Sequence, residues 1–327
     1  MKKDKTGEKS KGAIASVTAD APKFIGKLHN ESSLFGGKYL RARIFLSFSG
    51  HVTERSLKIA AAIELLHAAT LVHDDILDTG KSRRGDTPLY LKRGISQAVI
   101  YGDYLFAKGL LILSELRESA FYREATKTLS ETLSGEITET ERRRDTDLTE
   151  KDYLSIAAGK SGAFFGMSCK LGAVERGANA YDIKKAFGFG IKTGITYQIL
   201  DDYNDYFNES VPREKRFMDI ENGIITLPLI YMLENASEKE RAVLRSMIES
   251  RNYSSSDMEQ VCRKMIVRGV PERMLDAAEK HLEYAVSCLP FRIKAAMTRN
   301  SYIVHYLREK ISYEREKYNN SRSGFCR

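Results

Sequence analysis

The sequence predicts an all-α protein, on three observations. Apolar residues recur at helical spacing in 56–77, 96–115, 152–174, 183–203 and 224–248, alternating runs bounded by turn dipeptides are scarce, and only six prolines occur in 327 residues. Hydrophobic residues at 42% and charged residues at 29% give the balance of a globular chain with a core, which excludes disordered and low-complexity classes. No Gly/Ser/Pro-rich interior linker is present. The expectation is one helical domain over 1–327, with 1–12 and about 316–327 as flexible tails.

The helical pattern breaks where Gly, Pro, Asn or clustered charges interrupt it: Gly36-Gly37, 79–88 (TGKSRRGDTP), 145–149, 175–180 and 208–223 (NESVPREKRFMDIENG). No internal repeat of fixed period occurs. The blocks ending near 77 and 203 are unusually apolar, as expected of central helices buried on all sides, and both end in aspartates. The stretch from about 230 onward reads as further amphipathic helices without identifiable chemistry.

The first acidic end is LVHDDILD, which sets Asp74 and Asp78 four apart on one helical face with Asp75 beside them. The second, QILDDYNDY, repeats the geometry with Asp201, Asp202 and Asp205. Three carboxylates in one turn repel one another, and they lie at the negative end of the helix macrodipole. One DDxxD alone could be a solvated helix end. Two, each following a buried-type helix, point to a function that needs clustered carboxylate oxygen, and Mg²⁺ takes one or two such carboxylates with water and phosphate in its remaining positions.

Cationic groups accompany the acids. Arg83 and Arg84 follow Asp78 in a loop and offer planar forks that match phosphate oxygens. Lys38 and Arg41, in GGKYLRAR, stand one helical turn apart after a glycine pair, and His67 precedes Asp74 by one heptad. Singly these read as surface charges or a core histidine; together they describe two phosphate-bearing substrates.

The formal charge is +8, and most of the excess sits near the two ends of the chain, so no basic face for nucleic acid is expected. Solvated tails are the simpler reading, with weak contact to an acidic membrane surface as the alternative. Cys169, Cys262, Cys288 and Cys326 are widely spaced, imply neither zinc nor a disulfide framework, and read as reduced thiols. With no apolar leader and no stretch read as about 18 consecutive apolar residues, the expectation is a cytoplasmic protein.

The aspartate motifs, GGKxxR, the histidine and the RRG triplet, in this order between about Gly36 and Pro228, resemble the trans-isoprenyl diphosphate synthases, the polyprenyl synthetase family. The resemblance implies an all-helical bundle, usually a homodimer, whose central helices surround a deep cavity. It implies a Mg²⁺-dependent prenyltransferase that condenses isopentenyl diphosphate with an allylic diphosphate, head to tail, to an all-trans product, with three ions per loaded site. By position, Asp74, Asp78 and Asp201 would ligate the metal, supported by Asp75, Asp202 and Asp205. Arg83 and Lys160 would grip the allylic diphosphate, and Lys215 would join them if its loop shifts by a residue. Lys38, Arg41, His67 and Arg84 would bind isopentenyl diphosphate. Lys160 and Ser161 occupy the family's Lys-Thr pair, and Gln198 precedes the second motif; their dipoles would steady the cation. Leu66, Ala69 and Thr70, upstream of Asp74, would form the floor that sets chain length, and the two small ones imply a product longer than farnesyl.

The chain departs from the family pattern at four further positions: Glu214 and Ile224 for lysines, Phe217 for a glycine, and Ala42 for the proline after Arg41. The competing readings are a class I terpene cyclase, which has no use for a second diphosphate site, and a non-catalytic partner subunit, which has no use for six strained carboxylates.

Overall fold

The computed structural model describes residues 8, 9, 12, 37–80, 82, 85–116, 118–208, 216–250, 253–289 and 302–325. Gly36, Arg83, Arg84, Glu214 and Lys215, all named above, lie outside them. The fold class is as predicted: the elements are helices, and no strand occurs among the described residues. The chain divides into two compact units, one comprising Met1–Leu129, Met167–Phe187 and Ala295–Tyr302, the other Ser130–Gly166, Gly188–Lys294 and Ile303–Arg327.

In the first unit, α1 (Leu40–Ser49) leads into α2 (Glu54–Leu77), which begins in a capping box. The Thr53 hydroxyl accepts from the Ser56 N–H at 3.0 Å and the Thr53 N–H donates back to Ser56 Oγ at 2.7 Å, which fixes the helix start. Ile59, Ala60, Ala61, Ala62, Ile63, Leu65 and Leu66 are all buried, so α2 is apolar around most of its circumference. Glu64, His67 and Thr70 interrupt its apolar run, yet by length and mean hydropathy it could cross a membrane; 67% of the qualifying window is buried inside the protein. A core helix passes the same test.

The short α3 (Leu89–Arg93) precedes α4 (Ile95–Ser114), which packs along α2. Glycines allow the approach. A Cβ at Gly109 would stand 2.8 Å from Leu66 Cδ2, and one at Gly102 would stand 2.4 Å from His73 Nε2. The opposite side of α4 exposes Ile100 and Leu111.

Helices α5 (Ser119–Glu141), α7 (Ala163–Glu175) and α8 (Ala180–Phe207) each have residues in both units. Between α6 (Glu150–Ala157) and α7 lies a π-helical turn, Ala158–Gly162. In the second unit this turn meets α8 backbone to backbone. A Cβ at Gly194 would stand 2.6 Å from Gly162 Cα, and one at Gly190 would stand 2.4 Å from the Phe165 carbonyl oxygen.

The second unit continues with α9 (Met218–Glu221), α10 (Leu227–Glu234), α11 (Glu238–Ser250), α12 (Ser255–Val267), α13 (Val270–Cys288) and all but the first residue of α14 (Tyr302–Phe325). The sequence block 224–248 is therefore two helices, because Ser237 caps α11 through its hydroxyl, which accepts from the Glu240 N–H at 3.4 Å. The tail expected from about 316 is also corrected: α14 is helical to Phe325. Leu307, Ile311, Glu314 and Tyr318 are buried at helical spacing, which gives this charged segment an inward stripe. Cys169 and Cys262 are buried free thiols in the first and second unit respectively, and Cys288 is half-exposed.

Two outcomes follow from this packing. Gly190→Ala meets backbone and is expected to lower stability by about 1–3 kcal/mol, whereas Gly188→Ala, with open space around it, raises it by about 0.5–1 kcal/mol; urea denaturation of the two variants reads the difference. The Glu240 carboxylate, held by Arg268 at 2.7 and 2.9 Å and by Ser237, is pushed from 4.5 down to about 2. Its contribution is present above the unfolded value and lost as pH falls toward the folded one. Glu240→Gln should therefore flatten the loss of stability across that acid window, measured by denaturation at a series of pH values.

Candidate active site

In the first unit, Asp74 and Asp78 lie at the C-terminal end of α2. Asp78 is its C-cap, and its N–H donates to the Asp74 carbonyl oxygen at 2.9 Å, so the four-residue spacing holds to the last turn. Both side chains are half-buried; Asp75 is buried. Asp75 lies near Tyr90, whose hydroxyl donates to the Gly80 carbonyl oxygen at 3.2 Å and is pushed upward by burial and by the Asp75 charge. Thr79, at φ 49, turns the chain out of the helix.

Lys38, Arg41, His67, Leu66, Ala69 and Thr70 belong to the same unit. Lys38 is exposed before α1, and Arg41 is half-buried in its first turn. His67 is half-buried on α2; the Thr70 hydroxyl donates to its carbonyl oxygen at 2.8 Å and lies 3.5 Å from its ring Nδ1. Leu66, Ala69 and Thr70 are all buried, with Leu66 turned to Gly109 of α4.

In the second unit, α8 presents its three aspartates differently. Asp201 is exposed, while Asp202 is turned inward. The Tyr153 hydroxyl donates to Asp202 Oδ2 at 2.6 Å and Gln198 Nε2 donates to Oδ1 at 2.8 Å. The Ser161 hydroxyl donates to Gln198 Oε1 at 2.5 Å. Ser161, Gln198 and Asp202 thus form one hydrogen-bonded chain from the π turn to the acidic helix end. Burial pushes the Asp202 carboxyl up to about 7, against the lowering effect of its two donors.

Asp205 is likewise pushed up to about 7 by burial. Its carboxylate accepts the N–H groups of Met218 and Asp219, and its carbonyl oxygen accepts the Phe217 N–H at 3.4 Å. Its Oδ2 is buried without a hydrogen-bond partner.

Lys160, in the π turn, points to α5: its ammonium lies 3.1 Å from Glu136 Oε2 and 2.5 Å from Glu139 Oε2. These glutamates and Tyr153 were not legible as site residues. The glutamates read as part of a charged face, and the only cue was their three-residue spacing after Gly135.

Two departures now have physical accounts. The Ala42 N–H donates to the buried Glu64 carboxylate at 2.9 Å, a bond that proline could not make. Phe217 has φ 67, the region glycine enters without cost, and its ring packs edge-on against Tyr206 at 5.8 Å with the Arg216 guanidinium 4.9 Å from its centre. Ile224 is buried, and its N–H donates to the Asp219 carbonyl oxygen at 2.8 Å.

The acidic helix ends fit Mg²⁺. Among the described residues no three His, Cys, Asp or Glu side chains form a ready cage. Mg²⁺ does not require one, since it binds through one or two carboxylates and keeps positions for water and phosphate. The partnerless buried Asp205 Oδ2 is an acceptor of the right kind.

Fold and acidic ends together define the isoprenyl synthase type of helical protein. A polyprenyl synthase from Caulobacter crescentus CB15, solved with calcium and isoprenyl diphosphate, superposes with a TM-score of 0.80 over 92% of this chain and 91% of that one, at 24% identity. The chain belongs to the polyprenyl synthetase family, whose profile matches residues 23–265. It is 32% identical over 285 residues to a geranylgeranyl diphosphate synthase of Saccharolobus solfataricus, covering 83% of this chain and 86% of the relative. It is 33% identical over 208 residues to component 2 of a heptaprenyl diphosphate synthase of Geobacillus stearothermophilus, covering 62% and 65% respectively. The family consists of Mg²⁺-dependent prenyltransferases.

Tyr153→Phe tests the buried chain of hydrogen bonds. It leaves Asp202 Oδ2 without its donor and is expected to cost about 1–3 kcal/mol of stability, read by chemical denaturation, with secondary structure unchanged by circular dichroism.

Proposed function

We propose that this prenyltransferase joins isopentenyl diphosphate to an allylic diphosphate, head to tail, and releases an all-trans polyprenyl diphosphate longer than farnesyl. The observation that carries the reading is the repeated aspartate triplet at the ends of two buried helices in a polyprenyl synthetase chain. Asp74, Asp78 and Asp201 hold the metal, three ions in the loaded site, and Asp75, Asp202 and Asp205 support them. Bound Mg²⁺ supplies neutralisation of the charge that develops on the departing diphosphate.

Lys160, Arg83 and Lys215 add cationic contacts to the allylic diphosphate, while Lys38, Arg41, His67 and Arg84 hold that of isopentenyl diphosphate. Ionisation of the allylic C–O bond leaves a carbocation, which apolar side chains shield from water and which the Ser161 and Gln198 dipoles steady. The isopentenyl double bond attacks it, and a proton then leaves to the released diphosphate. Leu66, Ala69 and Thr70 bound the growing chain.

The working unit is a homodimer in the cytoplasm, with the basic chain ends in weak contact with acidic membrane surfaces. The similarity to a protein called component 2 favours one second reading, in which turnover requires another subunit.

Incubation of the purified chain with Mg²⁺, isopentenyl diphosphate and, separately, dimethylallyl, geranyl, farnesyl and geranylgeranyl diphosphates, followed by mass spectrometry, tests the reading. A ladder that stops at one length, reduced about a hundredfold or more in Asp74→Ala, is expected, and Ala69→Phe should shorten it. A cyclic hydrocarbon formed without isopentenyl diphosphate would refute it in favour of a cyclase. Primer binding without turnover by the chain alone would favour the two-subunit reading.

A further inference from the structure

Lys160 is one of the cations expected to meet the allylic diphosphate, yet two carboxylates already hold it. The Lys160 side chain and those of both glutamates are largely withdrawn from water, at 21%, 18% and 18% exposure. Glu136 and Glu139 stand three apart on α5 and so share one face. The backbone carrying Lys160 is fixed against that helix. The Thr132 hydroxyl donates to the Gly159 carbonyl oxygen at 3.3 Å, and a Cβ at Gly135 would stand 3.2 Å from the Lys160 nitrogen. The π turn therefore directs Lys160 at the glutamates through two short-range constraints.

The ammonium donates to Glu139 and is ion-paired with Glu136 at 3.1 Å, so two carboxylates already share its charge and its N–H donors. An anion that reaches Lys160 must share the ammonium with these carboxylates or displace one of them, against their like charge. We infer that Glu136 and Glu139 are positioning residues that restrain Lys160 against α5 and weaken its grip on diphosphate. The inference rests on the diphosphate-binding reading of Lys160 given above. Removing the charge of one glutamate while keeping its shape frees the ammonium for the anion, and an ion pair of this partial burial corresponds to about threefold to tenfold in the competing affinity.

Isothermal titration of the full chain with inorganic diphosphate in the presence of Mg²⁺ tests this with Glu139→Gln, Lys160→Gln and the double variant. The expected result is a dissociation constant about threefold to tenfold lower in Glu139→Gln, higher in Lys160→Gln, and in the double variant equal to that of Lys160→Gln alone. A purely structural role for Glu139 would change the melting temperature without this dependence on Lys160. If Lys160→Gln weakens binding but Glu139→Gln leaves it unchanged or weakens it too, the restraint is refuted while Lys160 keeps its role. If Lys160→Gln has no effect, the diphosphate reading of Lys160 fails and the restraint with it. Glu136→Gln carries the same comparison should Glu139→Gln melt below the assay temperature.

Discussion

The second unit depends on an approach between helices that leaves no room for side chains. Gly162 meets Gly194, and the Phe165–Gly166 backbone meets Gly190, so the π turn lies directly on α8. A helix advances about 1.5 Å per residue without slack. Once Gly194 is seated, the positions of Gln198, Asp202 and Asp205 along the unbroken α8 follow. The Ser161–Gln198–Asp202 chain can then close with hydrogen bonds of 2.5 and 2.8 Å, which a side chain at either glycine would prevent. π-helical turns are uncommon and recur at functional sites, where a local change in helical phase re-aims a side chain. Here the turn carries Lys160 and Ser161.

Clustered acids at a helix end are locally unfavourable, and the structure offsets that burden one group at a time. On α8, Asp202 is satisfied by a tyrosine and an amide, Asp205 accepts two backbone N–H groups while its buried Oδ2 stays open, and Asp201 is left to solvent. The buried Glu64 in the first unit is treated similarly, by the N–H of Ala42. Phe217 is the converse case. Its left-handed backbone is unfavourable for a bulky residue, at about 1–2 kcal/mol, and its packing against Tyr206 compensates. The same turn delivers N–H groups to Asp205.

What could be read from the sequence depended on range. Apolar periodicity is local, so α2, α4 and α8 were legible nearly to their ends, and the aspartates were legible because they break the electrostatic preferences of those same helices. The division of 224–248 was missed because the cap at Ser237 depends on Glu240 reaching back, a weak signal inside a strong apolar period. The extension of α14 was missed because its charged residues outnumber the inward stripe. Lys160 was identified by motif, but its glutamate partners were not, since they come from a helix some twenty residues earlier. Nothing in a linear pattern specifies that the π turn folds onto Gly135. The inward turn of Asp202 toward Tyr153 was hidden for the same reason.

The cysteines give the molecule two internal clocks. Burial drives the Cys169 thiol well above its ordinary range and the Cys262 thiol up to about 12, so neither supplies thiolate to a reagent while its surroundings stay closed. One belongs to each compact unit. Alkylation of Cys169 therefore counts openings of the first unit and alkylation of Cys262 counts those of the second, in a single unmodified chain. Whether the two units breathe together or separately becomes a ratio of two labelling rates.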